Sequence, residues 1–166
     1  MNPPPDDERD RDAAGRPRNA RPRDALGRPL SRGSAGVHGT PDDLSLTADQ
    51  TLTEAQRLLD AGLAFGAHEV LESRWKAAPH SERELWRGLA QLAVGVTHAQ
   101  RGNPVGATEL LRRAVGHVER YSPDPPFGIA VAGLVIWARA LIARIEQDGL
   151  DAVSPADLTP RLRARP

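Results

Sequence analysis

The chain contains no cysteine. That excludes disulfides, Cys-based zinc sites and thiol nucleophiles, and it suits a reducing compartment, so a cytoplasmic location is expected. Lysine is almost missing too, Lys76 being the only one. There is no Gly-rich, Lys-containing nucleotide loop and no Gly-x-Ser-x-Gly elbow, so those two routes to phosphate binding and acyl transfer are closed. Lys plus Arg and Asp plus Glu are equal at 22 each. With no net charge, the whole molecule is not an electrostatic partner for nucleic acid or membrane. The opening Met-Asn-Pro-Pro-Pro-Asp-Asp-Glu has neither the basic nor the apolar region of a signal peptide. No strand-type alternation is visible. The longest apolar run, Phe127 to Ala138, is too short to span a bilayer and is followed by Arg139 and Arg144, so no membrane partner is expected. It predicts a central, well-covered core helix from about 127 to 147.

Residues 1–46 read as a disordered or extended tail. Pro, Gly, Arg and Asp dominate, and too little apolar area is available to offset the entropy of ordering. Asp6, Asp7, Glu8, Asp10 and Asp12 open it. Arg16, Arg18, Arg21, Arg23, Arg28 and Arg32 follow, opposed only by Asp24. Such an arm is either a solvated linker or a segment that docks on an acidic surface or on RNA phosphate. No aromatic is interleaved to stack on bases, which leaves RNA the least favoured partner.

Residues 47–150 read as a helical bundle. Thr53-Glu-Ala-Gln56 is a capping-box start for a first helix, with an earlier start near Thr47 as the alternative, and Gly62 is its stop. A second helix covers about 64 to 77 and ends before Pro79. Ser81-Glu-Arg-Glu84 is a second capping box opening a helix to about Arg101. Asn103-Pro104 opens the fourth. Residues 151–166 are left as a C-terminal tail. The expected fold is all-α: a compact five-helix bundle of helical hairpins with tetratricopeptide-like turns. At an offset of forty residues, Gly62, Gly66, Ala67, Glu69 and Leu71 recur as Gly102, Gly106, Ala107, Glu109 and Leu111. Two copies are too few for an open solenoid, so a closed bundle is expected.

The copies differ where chemistry is carried. His68 aligns with Thr108, Glu72 with Arg112 and Trp75 with Val115. At about 100° per residue, Phe65, His68, Leu71, Glu72 and Trp75 share one side of the second helix. That side is otherwise apolar, and a core-facing His–Glu pair has to be hydrogen-bonded, ion-paired or metal-bound. On the third helix Arg87, Gln91 and His98 share a side, beside Gly88 and Gly95. If it faces the second helix, His68, Glu72, Arg87, Gln91 and His98 converge.

The string Gly62-x-x-Phe65-x-Ala67-His68-Glu69-Val70-Leu71-Glu72-x-x-Trp75 resembles the signature of the domain of unknown function 309 family. So do Gly88-Leu89-x-Gln91 and Arg101-Gly102-Asn103-x-x-Gly106-Ala107. The resemblance covers about residues 53 to 120 and implies a small all-helical domain of bacterial type. Gly66 stands where a Glu is expected from it, and Arg87 where a Gln is expected.

Two functional readings follow. One is a binding or interaction module for a protein partner or small ligand, with Phe65, His68, Glu69, Glu72, Trp75, Arg87, Gln91 and His98 lining the site. The other is a hydrolase-like site, acid–base or metal-assisted, with His68 and Glu72 as catalytic candidates and His98 as a third metal ligand. His-Glu-x-x-Glu is not the zincin His-Glu-x-x-His, and the sequence requires no cofactor.

Overall fold

A computed structural model describes residues 21–31, 33–37 and 45–164. Among the described residues five α-helices follow one another: α1 (Ala48–Asp60), α2 (Ala64–Ala77), α3 (His80–Gln100), α4 (Pro104–Val118) and α5 (Val131–Asp148). Among the described residues there is no named strand, only isolated bridges. Each helix packs chiefly against its neighbours in sequence, and α3, between α2 and α4, makes the most extensive contacts. Leu85, Trp86, Leu89, Leu92 and Val96 of α3 are buried at the centre of a core that runs from Leu52 in α1 to Ile145 in α5.

The helix starts show which of the proposed caps operate. Thr47, not Thr53, caps α1: its hydroxyl accepts from Gln50 N, and Gln50 returns the bond to Thr47 N. Gln56, read from sequence as a capping partner, has its amide on the C-terminal segment instead, donating to Pro160 O and accepting from Leu162 N. Helix α3 starts at His80 behind Pro79 without a side-chain cap. Glu84, the proposed reciprocal partner of Ser81, reaches His117 Nδ1 at 2.6 Å. Asn103 does cap α4, accepting from Gly106 N at 2.9 Å.

The α1–α2 and α3–α4 turns carry the same bonds. Leu63 N donates to Leu58 O and Gly62 N to Leu59 O; Asn103 N donates to His98 O and Gly102 N to Ala99 O. Both are Schellman turns. Gly62 and Gly102 hold φ of 75° and 76°, the left-handed conformation such a turn demands and a Cβ resists. Gly88 and Gly95 face α4, where a Cβ would lie 2.5 Å from Val118 Cγ1 and 2.9 Å from Leu111 Cγ. The close approach they permit is therefore between α3 and α4, not toward the His68 side.

The last helix departs from expectation. It begins at Val131, because Phe127 (φ 58°) and Gly128 (φ 67°) are both left-handed and cannot continue a helix. The Phe127 ring lies on Trp86, centroids 5.8 Å apart. Nor is α5 central: it packs on α4, with Ile136 69% exposed on its outer face. Among the described residues no helix is long and apolar enough to cross a membrane.

Both segments read as tails make contacts where they are described. Residues 150–164 run back along α5 to α1, and Leu162 is fully buried. Within 21–37, Arg23 bridges to Pro29 and to Val37, and the turn between rests on α2. Arg16 and Arg18 lie outside the described residues, as does Arg32.

Candidate functional site

Helix α2 presents its polar stripe along the seam with α3. Leu71 is fully buried, while Phe65, His68, Glu72 and Trp75 are half-buried. The stripe thus straddles the seam rather than facing the core, because alanines and Leu71, not the stripe, take the inner positions. His68 Nε2 lies 3.7 Å from Glu72 Oε2, and Glu72 Oε1 lies 3.4 Å from Lys76 Nζ. Burial pushes the His68 pKa below its ordinary value; Glu72 pulls it up, and Lys76 and Arg23 push it down again. His68 is therefore a neutral imidazole at neutral pH, and its Glu72 contact is a long polar approach rather than an ion pair. Its Nδ1 is buried without a hydrogen-bond partner, and so is Gln91 Oε1, one turn along α3 from Arg87.

At one end of the stripe Arg87 lies over the Trp75 ring, 5.7 Å from its centroid, and 3.7 Å from Glu84. At the other, two guanidinium groups share the Phe65 ring: Arg23 at 5.3 Å and Arg101 at 5.8 Å. Cations over an aromatic face are attracted by its quadrupole. The His68 ring is 5.6 Å from that of Phe65. Glu69 is half-buried beside His68 in the chain and has interactions of its own.

His98 does not join this group. It occupies the position of the α3 C-terminal turn that a Schellman motif brings against Asn103, and its Nδ1 is 3.0 Å from Asn103 Nδ2. Because Asn103 Oδ1 already accepts from Gly106 N, its Nδ2 donates and His98 Nδ1 accepts. In the sister turn the same two positions are Leu58 and Leu63, an apolar pair. His98 is thus a turn-closing residue, and burial together with Arg101 holds its pKa down, which keeps the accepting lone pair. Among the described residues no three His, Asp or Glu side chains converge to hold a metal ion, so His68, Glu72 and His98 do not form a ligand set.

Several residues at the site escaped sequence reasoning. Arg74 meets Glu82 at 3.3 Å and lies 5.4 Å from the Trp86 ring, whose Nε1 donates to the same Glu82 Oε2. That cluster ties the far end of α2 to α3. Gly27 and Arg101, which hold the arm at Phe65, carry no periodic signal; Arg101 stood out only as part of the Arg-Gly-Asn string.

Residues 52–110 match the family model described as "Domain of unknown function (DUF309)". The uncharacterized protein YpuF of Bacillus subtilis (strain 168) is 40% identical over 52 residues, covering 31% of this chain and 30% of that protein. An uncharacterized protein of Aquifex aeolicus (strain VF5) is 28% identical over 88 residues, covering 52% of this chain and 26% of that protein. The chain therefore spans less than a third of the length of either relative. No solved structure matches it. The matched stretch contains the whole of α2 and α3 with the Phe65-to-Trp75 stripe, and over residues 52–110 this chain is similar to the DUF309 family.

Proposed function

We propose that this domain is a binding module whose contact surface is the α2–α3 seam, from Phe65 past His68, Glu72 and Gln91 to Trp75 and Arg87. One observation carries the reading: His68 Nδ1 and Gln91 Oε1 are buried and unpartnered on that seam. A buried polar atom left without a partner costs about 1–3 kcal/mol. A hydrophobic pair would pack the two helices more cheaply, so the polar pair is explained by a group that satisfies it. A neutral imidazole and an amide suit an uncharged polar group, such as the backbone of a partner segment or a small ligand with hydroxyl or amide functions. The partly exposed Trp75 ring supplies apolar contact area at the far end. The repeated Schellman turns support reading α1–α2 and α3–α4 as one hairpin used twice, with the polar stripe an addition to the first copy. The absence of cysteine fits action in the cytoplasm.

The test is purification of the untagged chain from its own cells, with its mass measured under native and then denaturing conditions. A bound species that is lost in His68→Phe and in Gln91→Leu, both still fully helical by circular dichroism, is the expected result. Recovery of the same species from the double variant, or a crystal structure in which one ordered water satisfies both atoms, would make the pair a piece of internal packing and overturn the proposal.

A further inference from the structure

The described part of the arm is not draped over the helices; it is seated. Residues 23–28 form a turn closed on itself. Asp24 Oδ1 accepts from Leu26 N at 2.9 Å and from Arg28 N at 2.8 Å. Gly27 N donates to Asp24 O, Asp24 N donates to Arg28 O, and the Arg23 guanidinium donates to Gly27 O. The carboxylate holds the loop in shape before any contact with the helices is counted. Its tip then meets a complementary surface. Gly27 is buried against Phe65, so close that a Cβ there would lie 2.2 Å from Phe65 Cγ, and its φ of 73° is left-handed. Beside it, Arg101 Nε donates to Leu26 O at 2.7 Å, a bond across 75 residues of chain. Arg101 is partly buried there, and burial, ahead of the neighbouring Arg28 and Arg23, lowers its pKa.

The two sides of this contact differ in origin. The socket residues Phe65 and Arg101 lie within the matched stretch, residues 52–110, and the turn that fills the socket lies outside it.

We propose that Phe65 and Arg101 form a recognition socket for a tight Asp-x-x-Gly peptide turn, filled in this chain in cis by residues 23–28. The aromatic face selects a glycine, because any side chain at that position strikes the ring. The Arg101 guanidinium selects a carbonyl presented one residue earlier. The asparate cap contributes by pre-forming the turn, which reduces the entropy lost on docking. Filling the socket in cis brings Arg23 over Phe65 and within reach of His68, so a seated arm closes the Phe65 end of the α2–α3 seam. The inference does not depend on what the seam itself binds.

The test uses the full chain carrying Gly27→Val, in which the arm cannot seat, and a fluorescent synthetic peptide of residues 21–37 with its glycine intact, followed by anisotropy. Removing the tethered competitor should tighten peptide binding by about tenfold or more relative to the unmutated chain. Phe65→Ala added to Gly27→Val should abolish the gain, and so should Asp24→Ala in the peptide. Arg101→Met replaces Phe65→Ala if the latter lowers helical content. Equal binding by the Gly27→Val and unmutated chains, no saturable binding by either, or binding that survives loss of Phe65 or Arg101 would each overturn the socket. None of these outcomes changes the mass of whatever co-purifies on His68 and Gln91, so failure here and failure of the seam are distinguishable.

Discussion

At the scale of single residues, His68 and His98 show how neighbours set protonation. Both have pKa values lowered from the ordinary 6.5, and for both burial is the leading cause. In the unfolded chain each takes up a proton as pH drops through about 6.5; in the folded chain each resists. Their contribution to stability is therefore complete above that pH and is lost as pH falls through the folded-state pKa. For His68 the opposing charges can be removed one at a time. Glu72→Gln takes away the one neighbour that favours the imidazolium and should move the midpoint further down. Lys76→Gln, and Arg23→Gln in the arm, should move it up. Two-dimensional NMR of the ring protons across pH 4–8 (roughly the histidine range) reads all three. A His68 midpoint that ignores Arg23→Gln would mean that the arm does not sit beside the ring. His98 adds a second signature: protonation of Nδ1 destroys its acceptor for Asn103, so the α3–α4 turn should loosen in acid while the α1–α2 turn, closed by Leu58 and Leu63, does not.

At the scale of elements, the helix caps provide the sharpest contrast. Thr47 and Thr53 both precede apolar periodicity, and both have a Gln three residues on. Only Thr47 closes a capping box; Thr53 sits within α1 and donates to Asp49 O. Thr47→Ala should cost about 1 kcal/mol in urea unfolding and Thr53→Ala no more than about half that. The spacing rule is local and what separates the two sites is not: Gln56 is taken by Pro160 and Leu162, more than a hundred residues away. The same division explains what else was legible. The α2 span and the Asn103 cap follow from local patterning, and the stripe from Phe65 to Trp75 follows from helical spacing. That Gly88 and Gly95 serve α4 rather than a ligand could not be read, because a glycine reports that something comes close and not what. His98 is a related case. Sharing a helix side with Arg87 and Gln91 placed it in a site, and only the turn geometry assigns it to Asn103. An enlarged Gly88 offers a check on the α3–α4 contact. Gly88→Val pushes into Val118 and the Ala114 carbonyl, and should lower stability by about 1–3 kcal/mol as judged by the denaturant midpoint.

At the scale of the whole molecule, five helices that pack in chain order would leave α1 and α5 as open ends, and the segment after α5 joins them. Its hold on α5 is partly polar: Trp137 Nε1 donates to Asp157 O, Arg144 pairs with Asp157 at 2.9 Å, and Ala130 N just before the helix donates to Leu162 O, while Leu150, Val153 and Leu158 pack against the core. Its hold on α1 is the Gln56 amide, with Arg163 donating to Asp49 O. Between these, Leu162 inserts into the common core and is 1% exposed. This closure is not legible in the sequence because residues 151–166 have no helical period, carry charge, and place Val153, Leu158 and Leu162 at points that no spacing rule identifies. A buried leucine with polar anchors on both sides resembles a core position more than a tail. Leu162→Ala should therefore destabilise by about 2–5 kcal/mol, the range of core truncations. Gln56→Ala should cost less, yet should free the same segment, seen as faster amide exchange at Leu162 and Ala130. The measurement is chemical denaturation of the full chain with hydrogen exchange alongside. A Leu162→Ala chain within about 0.5 kcal/mol of the parent, the scale of ordinary surface substitutions, would show that the segment only rests on a bundle already closed without it.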